Sequence, residues 1–142
     1  MHLCDTKSIN LTEINKSPEF YLQKHFGYKT FRYPQKEIIE NVLAGNDSVV
    51  LMPTGGGKSM CFQLPACMMN GLTIVISPLI SLMKDQVEAL KTNGIEAEFL
   101  NSSLSAEAEM QINQKLSQNK IKLLYISPER LFSSKSIDQL HL

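Results

Sequence analysis

The sequence has 142 residues, 43% of them hydrophobic, and its 14 basic side chains balance 14 acidic ones, so the formal net charge is zero. That length suffices for one domain with a real core. The neutral balance excludes a global basic field for nucleic acid, so any such contact has to come from a local groove. No apolar run is long enough to span a bilayer and no signal-peptide core opens the chain, which speaks against a membrane partner. The three cysteines, Cys4, Cys61 and Cys67, show neither a paired framework nor metal-ligand spacing, and read as small buried thiols in a reducing compartment. His2, His25 and His141 are scattered and read as surface or helix-end residues.

Residues 1–17 form a polar tail. Three serine-proline pairs, Ser17-Pro18, Ser77-Pro78 and Ser127-Pro128, each read as an N-cap serine followed by proline in the first helical turn. Gly27, Gly45, Gly71 and Gly94 each follow a helical pattern and mark its end. The first helix is expected from about Pro18 to Phe26, and a turn through Tyr28, Phe31 and Tyr33 follows it. A second helix starts near Pro34 and ends before Gly45, with Gln35, Ile38, Ile39, Val42 and Leu43 on one face. A strand is expected at about 48–52 and a helix from Lys58, which Pro65 should break or kink.

Leu72 to Ile76 is an unbroken β-branched run, which suits a strand buried on both faces. The helix after Ser77 carries Leu79, Met83, Val87 and Leu90 on one stripe and ends at Asn93-Gly94. Ile95 to Leu100 reads as a shorter strand. Ser105 caps a helix with Glu107 and Glu109 in its first turns and Ala108, Ile112 and Leu116 facing inward. Ile121 to Ile126 is another strand, and Pro128 begins a last short helix. This alternation argues an α/β domain with a parallel sheet flanked by helices. Ligands then bind at the C-terminal ends of the strands.

Within this frame, Met52-Pro53-Thr54-Gly55-Gly56-Gly57-Lys58-Ser59 follows an apolar run and opens a helical one. Glycines let the backbone turn sharply and bring amides to phosphates, and the helix N-terminus adds free N–H groups. Lys58 then reaches the outer phosphates and the Ser59 hydroxyl holds Mg²⁺. Lys58 and Ser59 are thus the candidate catalytic residues, and Pro53, Thr54, Gly55, Gly56, Gly57 and Met60 complete the candidate ATP loop. Met52 stands where the common pattern has glycine, a variant that resembles helicase-type loops.

Four stretches together resemble the RecQ family of DNA helicases, in superfamily 2. They are Phe26 to Gln35, the loop with its extension to Ala66, Ile76 to Gln86, and Leu124 to Leu131. The resemblance implies a P-loop, RecA-like fold over residues 18–142. It implies that Tyr28 stacks on adenine, Gln35 hydrogen-bonds its edge and Arg32 supports the pocket. By themselves, Tyr28 and Phe31 read as core aromatics and Gln35 as a helix-start residue. It further implies DNA contacts from Ser77, Pro78, Ser81 and Lys84, from Asn101, and from Arg130. As residues alone, Glu129 and Arg130 read equally as a capping pair with little ligand contact.

The family also needs an Asp-Glu-Ala-His strand, and no Asp-Glu pair occurs in this sequence. The resemblance therefore implies part of a first motor domain, ending before that strand and lacking its second motor domain. Such a piece is expected to bind ATP and Mg²⁺ without hydrolysing ATP at a useful rate, and to be marginally stable or prone to associate. Its parent is expected to move 3′ to 5′ on single-stranded and partly duplex DNA, in a bacterial cytoplasm at the nucleoid. The rival readings are a superfamily 2 RNA helicase, another P-loop nucleotide-binding protein, and a truncated binding module that is not an enzyme. The motor-fragment reading requires the Gln35 segment and the Lys58 loop to meet.

Overall fold

The computed structural model describes residues 17–131. The expectations for residues 1–16, Cys4, His2, His141 and the chain beyond Leu131 lie outside them. The chain forms two compact units, one ending at Leu64 and the other starting at Pro65. Among the described residues, no helix is long and apolar enough to cross a membrane.

In the first unit, the Ser17 hydroxyl accepts from the Phe20 amide at 3.3 Å, and Pro18 opens helix α1 (Pro18–Tyr21). A π-helical turn, Leu22–Phe26, continues it, so the one helix expected there is an α turn followed by a wider one. Helix α2 (Gln35–Leu43) starts directly after Pro34 and buries Gln35 and Ile39. The strand expected at 48–52 does not form, and Val49 and Leu51 are 94% and 93% exposed. β-branched composition makes a strand only where a ladder and a packing face are supplied, and among the described residues no strand pairs with this segment. Helix α3 (Met60–Met68) begins two residues after Lys58 and runs through Pro65, where a break was expected. Proline there forfeits one hydrogen bond, but its ring is fully buried and the Met69 amide still closes onto the Pro65 carbonyl at 2.9 Å.

The second unit holds strands β1 (Thr73–Ile76), β2 (Ala97–Leu100) and β3 (Leu123–Ile126) and helices α4 (Ile80–Thr92), α5 (Ala106–Ser117) and α6 (Pro128–Leu131). The strands make a parallel sheet in the order β1-β3-β2. Central β3 is buried along its whole length. Strand β1, expected to be buried on both faces, is an edge of this sheet, and Ile76 is 56% exposed. Ile112 of α5 packs with Leu100, Leu124 and Ile126. Alternation puts Tyr125 on the opposite face, where its phenol donates to Gln86 of α4 at 2.9 Å and Met83, Val87 and Leu90 are buried.

Two expectations at the start of α4 are corrected. The helix begins at Ile80, so Pro78 is outside it, and Ser77 accepts from the Leu79 amide at 3.3 Å to close a turn instead of capping the helix. Leu79 precedes the helix and is exposed, so it does not continue the buried stripe. Ser105 does cap α5, accepting from Ala108 at 3.2 Å, and Ser127 sits before α6 and accepts from the Arg130 amide at 3.4 Å.

A buried carboxylate ties the layers together. Glu98, on β2, accepts from Lys91 at the end of α4 at 2.8 Å and from Lys115 on α5 at 2.5 Å. Burial pushes the Glu98 carboxyl up, but the bonds from Lys115 and Lys91 outweigh it and hold the group below its ordinary value of 4.5. A depressed folded-state value means that this stabilisation is complete above about pH 4.5 and is lost as pH falls through the lower folded-state value. Glu98→Gln should cost roughly 1–2 kcal/mol at neutral pH. In urea melts the gap to wild type should close as the pH is lowered toward 3; a gap independent of pH would contradict the clamp.

Candidate functional site

The glycine run is shaped by its own backbone and by Gln35. Gly55 and Gly57 adopt φ of 81° and 80°, and the Gly56 amide turns back onto the Pro53 carbonyl at 3.0 Å. A Cβ on Gly57 would lie 2.3 Å from the Gln35 Nε2 atom, so the close approach of that side chain requires glycine. The Gln35 amide donates to the Gly57 carbonyl at 3.2 Å, and its oxygen accepts from the Arg32 amide at 2.8 Å. The Gln35 amide nitrogen of the main chain returns to the Arg32 carbonyl at 2.7 Å. The Arg32 guanidinium reaches the Gly55 carbonyl at 3.5 Å. The segment around Gln35 and the glycine loop therefore meet, through two side chains from one side and two carbonyls from the other.

Lys58 folds across the loop and donates to the Met52 carbonyl at 2.7 Å and the Pro53 carbonyl at 3.1 Å. Its ammonium is thus held by the two carbonyls that lead into the glycine turn. The first internal bonds of the following helix start at Met60, onto Gly57 at 3.2 Å, and Cys61, onto Lys58 at 3.1 Å. The amides of Lys58 and Ser59 are those that a helix start leaves for a ligand. Ser59 is half-buried at that start, Met60 is buried, and Pro53 and Thr54 are exposed. Cys61 is buried beside Met52, 4.0 Å between sulfurs, and burial pushes its thiol up, so it behaves as a packing group.

Beside this segment a cleft of about 370 Å³ is lined by residues including Lys29, Arg32, Tyr33 and Lys36. Tyr33 is 86% exposed, and sequence reasoning passed over it, although it stands between Arg32 and Gln35. Tyr28 is 54% exposed and outside that lining. Lys36 is held by Glu19 at 2.6 Å.

The second unit brings its own group together. The register pairs Ile76 and Leu100 with the same residue, Ile126, so all three strands end level. The ladder runs one step further, from the Ser77 amide to Ile126 and from the Ser127 amide to Leu100, both 3.1 Å. Ser77, Asn101 and Ser127 therefore stand side by side on the carboxyl edge. Asn101 is buried, and its carboxamide oxygen accepts from both the amide and the hydroxyl of Ser103 at 3.0 Å. Pro78, Ser81 and Lys84 are exposed. Arg130 is half-buried and paired with Glu109. Among the described residues, no cluster of three His, Cys, Asp or Glu side chains suits a metal.

The family model for the DEAD/DEAH box helicase matches residues 32–142. The chain is similar to the ATP-dependent DNA helicase RecQ of Haemophilus influenzae, at 54% identity over 113 residues, which is 80% of this chain and 18% of that relative. It is 50% identical over 118 residues to the RecQ of Synechocystis, covering 83% of this chain and 25% of the relative. The RecQ of Bacillus subtilis is likewise 50% identical, over 117 residues, 82% of this chain and 20% of the relative. The chain thus spans a quarter or less of the length of these relatives.

Gly57→Ala forces the Gln35 amide off the loop and costs ~1–2 kcal/mol of left-handed strain. Nucleotide affinity should fall about tenfold or more. Gly27→Ala carries the same kind of strain, φ 75° with open space around it, and should lower the melting temperature without lowering affinity. Equal affinities for the two variants, measured by titration with a fluorescent nucleotide, would contradict the steric account.

Proposed function

We propose that this chain, which belongs to the DEAD/DEAH box helicase family, is the ATP-binding part of a 3′-to-5′ DNA helicase of the RecQ group. Its parent couples ATP hydrolysis to DNA unwinding in recombination and repair, with single-stranded and partly duplex DNA as its partners, in a bacterial cytoplasm at the nucleoid. A second motor domain acts with it. The observation that carries the nucleotide part of this reading is the bridge from Gln35 to the Gly57 carbonyl, which joins a base-reading segment to a phosphate-reading one.

The residues fit a nucleoside triphosphate. The turn around Gly55 to Gly57 offers backbone amides to phosphate oxygens, and the Lys58 ammonium exchanges the Met52 and Pro53 carbonyls for the outer phosphates. A glutamine amide has two N–H groups and two lone pairs. Gln35 spends one of each on the protein, and the remaining pair matches the N6 and N7 edge of adenine. Tyr28 offers a stacking face and Arg32 braces the pocket. The Ser59 hydroxyl is a hard oxygen ligand that would hold Mg²⁺. When bound, that ion supplies charge neutralisation across the phosphates. Ser77, Pro78, Ser81, Lys84 and Asn101 contact the DNA backbone from the carboxyl edge of the sheet, and Arg130 stands beside them, paired with Glu109.

The 142-residue chain is expected to bind ATP but to turn it over poorly, since it holds no Asp-Glu pair to place a second carboxylate at the phosphates. Three titrations test the reading. Lys58→Ala should weaken ATP by about tenfold or more. Wild type should prefer ATP to GTP, and Gln35→Ala should weaken ATP more than GTP. Equal affinity for the two nucleotides in wild type, or DNA-stimulated turnover near that of a complete helicase, would refute it.

A further inference from the structure

Arg130 is the cation that the carboxyl edge of the sheet places beside Ser127, yet its guanidinium does not face outward freely. Its Nη2 donates to the Oε1 of Glu109, from the first turn of α5, and the two side chains are only 18% and 24% exposed. The Arg130 main chain is fixed as well, its amide bonded to the Ser127 carbonyl at 3.1 Å and the Ser127 hydroxyl at 3.4 Å. Asn101 and Ser103 form the adjacent turn at the end of β2. Glu107, in the same helical turn as Glu109, is exposed.

We infer that Glu109 is a positioning residue of this edge: its carboxylate holds the Arg130 guanidinium inward and withholds one phosphate contact from single-stranded DNA. This rests on the reading of the carboxyl edge as the DNA-facing edge. The physical reason is charge. A carboxylate in contact with a guanidinium cancels most of its field, and a phosphate drawn toward Arg130 meets the negative charge of Glu109 at close range. Partial burial leaves that pair less screened by salt than an exposed one. An amide in place of the carboxylate keeps an acceptor for the guanidinium but removes the charge. Arg130 then keeps its place and regains its field.

The test uses the 142-residue chain and a fluorescein-labelled oligothymidylate, followed by anisotropy at several salt concentrations. Glu109→Gln should bind roughly three- to tenfold tighter, and its log affinity should fall more steeply with log salt by about 0.7, one single-strand phosphate contact. Glu107→Gln removes the same charge one helical step away and should gain less than about twofold. The gain from Glu109→Gln should vanish when Arg130 is also changed to Gln. If that double variant melts, the salt slope of the single variant carries the test. An equal gain in Glu107→Gln, an unchanged salt slope, or weaker binding by Glu109→Gln would overturn the inference and leave the DNA reading standing. No binding by wild type or any variant would overturn the DNA reading, and the inference with it.

Discussion

One side-chain amide organises the first unit of this molecule. Gln35 is buried between the Arg32 amide and the Gly57 carbonyl, so a residue at the start of α2 sets the shape of a loop more than twenty positions later. The amide is half-satisfied by the protein, which explains why it tolerates burial without being closed to a ligand. Gly57 has to be glycine twice over, for its left-handed backbone and for the space that the Gln35 side chain fills. The segment around Gln35 and the glycine loop are in this way parts of one hydrogen-bonded unit.

The sheet supplies a different kind of order. Because β1 and β2 both run level with β3, the polar residues that follow each strand share one line with no further device needed. The helices on the two faces are pinned across the sheet by Glu98 and its two lysines and by the Tyr125 phenol on Gln86. The parallel sheet flanked by helices is the P-loop, RecA-like class expected of this family.

Much of this was legible in the residues. Strand β3, helices α2, α4 and α5, and the caps at Ser17 and Ser105 follow from periodicity and from serine and glycine placed where helices start and stop. The failures share a cause, which is that a local pattern does not reveal its surroundings. The run Ser48 to Leu51 has strand composition, but among the described residues no ladder stands beside it. Leu72 to Ile76 reads as a central strand but stands at an edge. Pro65 reads as a breaker, yet its ring finds a buried place that a helix can keep. Pro78 resembles Pro18 and Pro128 in sequence, but the Ser77 side chain closes a tight turn before the helix can begin. In the candidate site, the pairing of Gln35 with the loop was expected only through family resemblance, since nothing local to either segment announces the other. The bond between Glu109 and Arg130 had no signal at all, because it joins two helices across a strand.

The central claim is that Gln35 shapes the phosphate loop as well as reading the base. Isothermal titration of inorganic tripolyphosphate, a ligand with no base, into wild type and Gln35→Leu separates the two roles. The account predicts that the variant binds this anion at least about fivefold more weakly, the loss of one buried hydrogen bond to the loop. Unchanged tripolyphosphate affinity together with lost ATP affinity would contradict it and confine Gln35 to the base.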